Sequence, residues 1–332
     1  MKYLIEIHQG IGDVVQMTGV IDTIYENDDK AEIGLILALP NRAELFNHDP
    51  RIKNIYYINL KNKSFISNIK TACEMRKQHF DYAFFSSISD KMGARVLAFI
   101  INAKNSYGEQ LVNFGRMHKV KAVNEHIVKK NANLLKASGL FEKVNYPKLV
   151  GVESYDKEKF EGKKVMGLCI GTSKPSKTWP LEKYLEVADY FGNRGYEIIF
   201  LGGKQEAAGM SQTYFENHTN WHNYLGKTTL LQSAGLLTNC NLLLGGDTGL
   251  MHMAAALDVL TITIFSCTDP ALHTPYSSKS YVASIKISCQ YCLHLGTECK
   301  DYKCLNGITT NMVIDLINEV IEGEKDPFIK NL

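Results

Sequence analysis

The chain has 332 residues, enough for two domains of ordinary size, and its 45% hydrophobic and 22% charged residues are typical of a globular protein. This composition excludes whole-chain disorder, collagen and coiled coil, and no apolar run approaches the ~18 residues of a membrane-spanning helix. The net charge of +2 hides an asymmetry, since residues 1–150 carry 21 Lys and Arg against 15 Asp and Glu, and the remaining residues 16 against 20.

The basic excess is concentrated in residues 61–148, with 16 basic and 6 acidic side chains. Such a surface is either simply solvated or meets something anionic, such as a phosphorylated substrate or a membrane surface. Nucleic acid is disfavoured because the excess is spread out and no binding motif accompanies it. The N-terminus lacks the apolar stretch of about 7–15 residues that a signal peptide needs. We therefore expect a cytoplasmic protein with reduced cysteines.

Short apolar runs alternate with helical patterns through the first half of the chain. Strands are predicted at 3–7, 33–39, 55–58 and 82–86, and helices at 14–25, 64–78, 92–100 and 125–140. This alternation is typical of βα units that form a parallel sheet. Gly139 is predicted to end the last of these helices.

A second alternation follows residues 141–164, which show no clear period and are predicted to be a linker. The domains are thus 1–150 and 151–332. In the second, strands are predicted at 165–170, 197–201, 241–244 and 261–265, and helices at 181–194, 230–238, 250–257 and 312–321. The last of these is a closing helix. We therefore predict two α/β domains without a sequence repeat between them.

Gly-rich and polar stretches follow many of the predicted strands. They lie at 10–13, 171–177, 202–206, 245–252 and 266–270. Ligands of open parallel sheets bind at the carboxyl ends of strands, in the loops that follow them. Because one stretch belongs to the first domain and four to the second, they suggest a cleft between the domains.

The first of these stretches contains Gly10, Gly12 and Asp13 between a strand and a helix. Glycines allow a tight turn and a close approach of the backbone to a ligand. The pattern G-x-G-D is neither the dinucleotide fingerprint nor a P-loop. Asp13 is then either the N-cap of the helix or a general base.

The second domain contains two stretches suited to phosphate. In residues 171–180, Thr172, Ser173 and Lys177 precede a helix, and hydroxyls, lysines and a helix N-terminus are what a diphosphate needs. A basic surface loop is the alternative. In residues 245–252, backbone N–H groups and the Thr248 hydroxyl could hold a phosphate.

Two side chains of residues 245–252 have alternative interpretations. Asp247 either caps the helix or orients ligand hydroxyls, and His252 is either structural or part of the site. The tripeptide Asp-Thr-Gly also occurs in aspartic proteases. Those enzymes need two such sites in β-rich lobes, whereas this chain has one in an α/β context.

Four of the eight cysteines fall within 16 residues, at Cys289, Cys292, Cys299 and Cys304. Four thiolates at such spacing can hold a tetrahedral zinc or iron ion, and unligated thiols in a loop are the alternative. The other four cysteines lie in or beside apolar runs and are expected in the core. They are Cys73, Cys169, Cys240 and Cys267.

Four segments together resemble glycosyltransferase family 9, the heptosyltransferase family. One of them, EHIVKKNANLLKASGL, resembles the helix that leads out of its N-terminal domain. The opening IHQGIGDVVQMTGVIDTI resembles its G-D-x-x-x-x-T-P-x-x-x-x-L signature, with Gly19 in place of the usual Pro. GTSKPSKTWPLEKYLEVADYF resembles its phosphate-binding loop, and GGDTGLMHMAAALDVLTITIFSCTDP its D-[ST]-G-x-x-H-x-A-A-A-L segment. The resemblance runs along nearly the whole chain.

The resemblance implies a GT-B fold, in which two Rossmann-like domains face each other across a cleft. The acceptor would bind domain 1–150, where Asp13 would deprotonate its hydroxyl for inverting attack through an oxocarbenium-like transition state. The nucleotide sugar would bind domain 151–332. Its diphosphate would meet Thr172, Ser173 and Lys177, and its phosphate and sugar end Asp247, Thr248 and Gly249. His252 would support that loop, and Glu206 is a candidate for the ribose or base.

The resemblance also implies the substrates, ADP-heptose as donor and an anionic lipopolysaccharide inner core as acceptor. No cofactor is required for the chemistry, and membrane contact would be at most peripheral. The four cysteines raise an alternative, a transferase that heptosylates autotransporter proteins and carries a structural iron or zinc. The expected lack of a long N-terminal extension favours the lipid or oligosaccharide acceptor. Another nucleotide sugar, or a catalytically idle nucleotide-sugar-binding protein, are further alternatives.

Overall fold

The structure is a computed structural model that describes residues 1–7, 10–59, 65–86, 91–292, 299 and 301–328. The chain divides into two compact units, Met1–Gly151 and Val152–Leu332. Among the described residues, no helix is both long and apolar enough to span a bilayer.

The first unit is a six-stranded parallel sheet with helices between its strands. The strands are β1 Lys2–Ile7, β2 Glu32–Leu37, β3 Ile52–Tyr57, β4 Tyr82–Phe85, β5 Asn105–Gly108 and β6 Met117–Lys119. The helices are α1 Ile11–Asn27, α2 Phe65–Arg76, α3 Lys91–Ile101 and α4 Ile127–Ala137, with a 3₁₀ helix at Pro40–Phe46. The strand order is β3-β2-β1-β4-β5-β6, which is the order of the dinucleotide-binding Rossmann fold.

The second unit repeats this topology with different residues. Its strands are β7 Lys164–Cys169, β8 Tyr196–Leu201, β9 Trp221–Asn223, β10 Leu242–Gly246, β11 Leu260–Ile264 and β12 Ser280–Ala283. Its helices are α5 Lys157–Phe160, α6 Leu181–Gly192, α7 Lys204–Gly209, α8 Gln212–Asn217, α9 Leu230–Leu237, α10 Gly249–Ala256, α11 Pro270–His273, α12 Lys303–Gly307 and α13 Thr310–Ile321. The order β12-β11-β10-β7-β8-β9 equals that of the first sheet when the strands are counted from β7.

The eight predicted strands and the long predicted helices all form, with ends shifted by up to three residues. The central strands are apolar runs because helices cover both faces of the sheet, and every residue of β10 is buried. The prediction missed the outer strands β5, β6, β9 and β12, which have only three or four residues and mix polar with apolar side chains. Gly139 follows α4 with φ +71°, as its predicted role requires.

Gly19 on α1 explains one departure from the family signature. A Cβ atom there would collide with the carbonyl oxygen of Asn145 and approach the Pro147 nitrogen to 3.3 Å. The same segment bonds to α1 through its backbone, since the Asn145 N–H donates to Thr23 Oγ1 and the Lys148 N–H to Thr18 Oγ1, each at 2.9 Å. The glycine therefore lets this part of the predicted linker pack directly on the helix.

Candidate functional site

Apart from Glu206, on α7 after β8, and the clustered cysteines, the sequence-predicted site residues lie where the strand order reverses in each sheet. In the first unit the reversal is between β1 and β4, and in the second between β7 and β10. Open α/β sheets bind ligands outside the carboxyl ends of the strands at this point. Asp13 lies in the first turn of α1, the helix that follows β1, and the loops after β7 and β10 hold residues 170–180 and 247–248.

Asp13 is the third residue of α1 rather than its N-cap. Gly10 occupies the N-cap, and its N–H donates to Asp13 Oδ2 at 3.1 Å. A Cβ atom on Gly10 would lie 2.6 Å from that oxygen, so glycine is required for this close approach. The backbone bond fixes a half-buried carboxylate at a helix N-terminus, where an anion is favoured. A carboxylate held in this way can accept a proton. Its neighbours His8 and Gln9 lie outside the described residues.

An ion pair between half-buried Lys177 and buried Asp247 joins the two loops at the reversal point of the second sheet. Lys177 Nζ lies 2.6 Å from Asp247 Oδ2, and Thr268 Oγ1 donates to the same oxygen at 2.9 Å. Burial raises the pKa of Asp247, but the Lys177 ammonium and the Thr268 hydrogen bond outweigh it and bring that pKa below its ordinary value. Asp247 is therefore ionised at neutral pH and holds Lys177 in a fixed position.

His252, one turn into α10, is buried beside this pair. Its Nε2 lies 4.0 Å from Asp247 Oδ1. Burial lowers the pKa of His252 to about 4, and the positive charges of Lys177 and His273 add to that effect against the attraction of Asp247. The imidazole is thus neutral at pH 7, so that Lys177 is the cation that balances Asp247.

The free energy of unfolding should fall as the pH drops from about 6.5 to about 4. The unfolded chain protonates His252 near pH 6.5, whereas the folded protein does so only near pH 4. The unfolded state therefore binds the proton first and is stabilised by up to about 3 kcal/mol. Above pH 6.5 this residue contributes no pH dependence, and the contribution of Asp247 is lost only at still lower pH.

Urea unfolding at a series of pH values measures this dependence. His252→Gln cannot titrate and should flatten the curve between pH 6.5 and 4. A His252→Gln curve parallel to that of the unaltered protein would contradict the assignment.

The loop 170–180 is held by a hydrogen bond within it and by bonds from its second half to other segments. Thr172 Oγ1 lies 2.8 Å from Thr178 Oγ1, and Ser266 Oγ in the loop after β11 donates to Ser176 O at 2.6 Å. Trp179 Nε1 donates to Ile308 O at 3.0 Å from a buried ring. Ser173 is exposed on the same loop. The loop is thus anchored at Ser176 and Trp179 and open to solvent near Ser173.

Two glycines allow these loops to lie close together. A Cβ atom on Gly246 would lie 2.6 Å from Lys177 O and 2.7 Å from Thr172 Cγ2. One on Gly171 would lie 2.7 Å from Glu206 Oε1, whose other carboxylate oxygen accepts a bond from the Gly203 N–H at 2.7 Å. Glu206 is thereby placed against the loop after β7.

Thr248 is the N-cap of α10, and its side chain does not cap the helix. Its carbonyl oxygen accepts a bond from the Met251 N–H at 3.1 Å. The N–H of Gly249 belongs to the first turn, where helical N–H groups lack partners within the helix and favour an anion. The structure therefore places Thr172, Lys177, Asp247, Thr248 and His252 around the start of α10.

Thr268 is a site residue that the sequence did not single out. It holds Asp247 although it lies 21 residues further along the chain. The stretch 266–270 was predicted to be ligand-facing, because it follows a strand. A hydroxyl at the centre of that stretch was the signal that could have identified it.

The four clustered cysteines do not form a ready metal site. Cys289 is exposed, Cys292 and Cys299 are half-buried, and Cys304 is buried on α12. In the described ranges, which leave out 293–298 and 300, no group of three or more His, Cys, Asp or Glu could hold a metal ion. Burial raises the pKa of Cys292, and the nearby Cys267 and Cys299 raise it further, which favours neutral thiols.

The remaining four cysteines differ in burial. Cys169, Cys240 and Cys267 are buried, as predicted for core residues, but Cys73 is exposed on α2, so that prediction was wrong. Cys73 occupies a polar turn of a helix whose buried positions are Ala72 and Met75. Neighbours one residue apart on a helix face different directions.

Residues 95–303 match the family model described as "Glycosyltransferase family 9 (heptosyltransferase)". The chain is 26% identical to lipooligosaccharide heptosyltransferase 2 of Campylobacter jejuni over 339 residues, covering 97% of this chain and 99% of that protein. The family that the sequence resembles, glycosyltransferase family 9, is thus confirmed, because the family model matches more than half of the chain.

Solved structures show the same fold. The E. coli ADP-heptose lps heptosyltransferase II superimposes with a TM-score of 0.76 at 20% identity and covers 98% of this chain and 99% of its own. The iron-containing dodecameric glycosyltransferase TibC of enterotoxigenic E. coli superimposes with a TM-score of 0.60 at 12% identity, over 97% of this chain and 77% of its own. The predicted GT-B fold with two Rossmann-like units is confirmed.

Proposed function

The chain belongs to glycosyltransferase family 9, and from this premise we propose that it transfers heptose from ADP-heptose to an anionic lipopolysaccharide inner-core acceptor. It is a glycosyltransferase by family. The observation that most directly supports this proposal is the ion pair Lys177–Asp247, which lies at the reversal point of the second sheet, next to the start of α10. The names of relatives that match from end to end, such as the C. jejuni lipooligosaccharide heptosyltransferase 2, support the sugar and the acceptor.

We propose the second unit as the donor site and the first as the acceptor site. The Lys177 ammonium donates one hydrogen bond to Asp247, which leaves two of its three N–H groups for diphosphate oxygens. The N–H groups at the start of α10 and the Thr248 hydroxyl add neutral donors. Thr172 and Ser173 extend this set, and Glu206 is placed for the ribose or base. Asp247 holds the lysine and faces the sugar end.

The reaction then needs one base and one anion-binding site. Asp13 takes the proton of the acceptor hydroxyl, whose oxygen bonds to the anomeric carbon from the face opposite the nucleotide. The bond from that carbon to the β-phosphate oxygen breaks, and the electron pair leaves on ADP. Lys177 and the helix N–H groups stabilise the charge that develops there. The configuration inverts, and no metal ion takes part in these steps.

Acceptor-dependent release of ADP from ADP-heptose tests the proposal. The acceptors are heptose-free lipopolysaccharide cores and, separately, candidate autotransporter proteins analysed by intact mass. Release with a core acceptor, together with heptose added to the core, is the expected result. Donor binding with no release on any acceptor would instead fit a catalytically idle binding protein, and release only with another nucleotide sugar would change the donor.

A protein acceptor with a cysteine-bound metal is the second candidate. Its support is the fold shared with iron-containing TibC and the proximity of Cys292, Cys267 and Cys299. The residues as placed do not fit a metal, since Cys304 is buried on its helix and Cys299 Sγ is directed at Asp301 Oδ1 at 3.8 Å. Elemental analysis of the gently purified protein decides it. Less than about 0.1 iron or zinc per chain would remove the metal from this candidate.

We also propose a cytoplasmic reaction with peripheral contact to the membrane that carries the lipid acceptor. The basic excess of residues 61–148 supports such a contact.

A further inference from the structure

Helix α3 exposes an apolar stripe to solvent. Met92, Val96 and Phe99 are 66%, 38% and 66% exposed, and their spacing of four and three residues places them on one face. The opposite face of α3 is already used by the fold, since Ala94, Leu97, Ala98 and Ile101 are buried in the core of the first unit. The exposed stripe therefore makes no contribution to that core.

Two further large apolar side chains are exposed on segments that contact α3 or the residue after it. Ile66 is 83% exposed on α2, which packs against α3. Phe114 is 66% exposed in a segment whose Arg116 donates to Asn102 O, just past the end of α3, at 3.4 Å. Single exposed apolar residues are ordinary, but several on one face of a helix, as in the stripe of α3, indicate an interaction surface.

A cationic cavity of about 270 Å³ adjoins the stripe. It is lined by Lys91, Arg95, Glu109, Gln110, Lys119 and Ala122. Lys91 and Arg95 lie on α3 one residue before Met92 and Val96, and Arg95 Nε is fixed by a 2.8 Å bond to Gln110 O. The cavity therefore carries three cationic side chains against one carboxyl group, Glu109.

We propose that this face of the first unit, the apolar stripe of α3 with its cationic cavity, docks on an anionic lipid bilayer. Residues 61–120 contain ten Lys and Arg against four Asp and Glu, which complements a negatively charged membrane. The stripe side chains enter the boundary between headgroups and acyl chains, and the cavity takes a headgroup phosphate. A second copy related by a two-fold axis would instead bring the same cations face to face.

The position of this surface in the fold suits a lipid-borne acceptor. All strands of the first sheet are parallel, so their carboxyl ends share one edge. Lys91 begins the helix after β4, Glu109 follows β5 and Lys119 ends β6, which puts the cavity at the edge that also carries Asp13. The benefit of this position for a lipid-borne acceptor rests on the proposed function, whereas the docking on a bilayer does not.

Sedimentation with vesicles, without any sugar present, tests the docking. We expect the full chain to bind phosphatidylcholine vesicles that contain about one-third phosphatidylglycerol, to bind pure phosphatidylcholine weakly, and to lose affinity as salt rises. The double variant Met92→Ser/Phe99→Ser should bind anionic vesicles at least about tenfold more weakly. Met312→Ser/Ile321→Ser removes two exposed apolar side chains from α13 in the second unit and should bind normally. Thermal unfolding verifies that each variant is folded.

A charge variant tests the cavity separately. Lys91→Glu/Arg95→Glu should abolish the preference for anionic vesicles, whereas exposed Lys286→Glu should retain it. Equal binding to neutral and anionic vesicles, or normal binding by both double variants, would overturn the proposal. So would a dimer in solution that Phe99→Ser dissociates, because a second copy would then cover the surface. Turnover of a delipidated acceptor should be unchanged in Met92→Ser/Phe99→Ser, which separates docking from transfer.

Discussion

Asp13→Asn is expected to lower the turnover number for sugar transfer by about 10³-fold while the donor still binds. Asparagine has nearly the shape of aspartate, and its side-chain oxygen can still accept the Gly10 N–H bond that fixes the start of α1. It cannot take a proton from an acceptor hydroxyl. Acceptor-dependent ADP release measures the loss, and calorimetric titration with ADP-heptose measures donor binding.

Asp13→Ala separates the chemical role of Asp13 from its role in the helix. Alanine removes the bond to Gly10 as well and should cost about 1 kcal/mol of stability. If the loss of turnover came from a disturbed helix start, Asp13→Ala would be impaired and Asp13→Asn nearly normal. That result would contradict the assignment of Asp13 as the general base.

Lys177→Met is expected to reduce both stability and turnover. The substitution leaves Asp247 buried with the Thr268 hydroxyl but without its cation. Removing one partner of a buried ion pair costs roughly 3 kcal/mol. The leaving diphosphate also loses a positive charge, which should lower turnover by about 10²-fold or more. Urea unfolding and ADP release measure the two effects independently.

The double variant Lys177→Met/Asp247→Asn separates these effects. Without either charge, most of the lost stability should return, but turnover should stay low because no cation faces the diphosphate. Recovery of turnover in the double variant would mean that Lys177 acts only by neutralising Asp247. Lys174→Met is the matched control, since this lysine is exposed in the same loop and should change neither quantity.

The central strands of each sheet were predictable because strands buried on both faces consist of continuous apolar residues. Strands such as β7 and β10 lie between helices on both sides and are almost wholly apolar. The strand β6, with the sequence Met-His-Lys, has neither a continuous apolar run nor an alternation, and its pairing with β5 comes from its neighbours. Tertiary contacts therefore decided the outer strands, and a local pattern could not reveal them.

The candidate site was predictable as a set of loops but not as a set of bonds. Asp13, Lys177 and Asp247 stood out because each follows an apolar strand, and parallel strands end at one edge. Nothing in the sequence pairs Lys177 with Asp247, which lies 70 residues away. The cysteine spacing, by contrast, predicted a metal site that the described residues do not form. Spacing predicts ligands only if the backbone turns the sulfur atoms toward one point, and here Cys304 is buried on a short helix instead.

Each sheet is built from strands that are consecutive in the sequence, and this sets the order in which the two units can fold during synthesis of the protein. The strands of the first sheet all come from residues 2–119, so they have emerged from the ribosome before any strand of the second sheet. Domains generally fold as units in that order. Trp179 anchors its loop to a carbonyl group 129 residues further on. The nascent chain can thus complete the unit that carries Asp13 long before the loop that carries Lys177 gains its anchor.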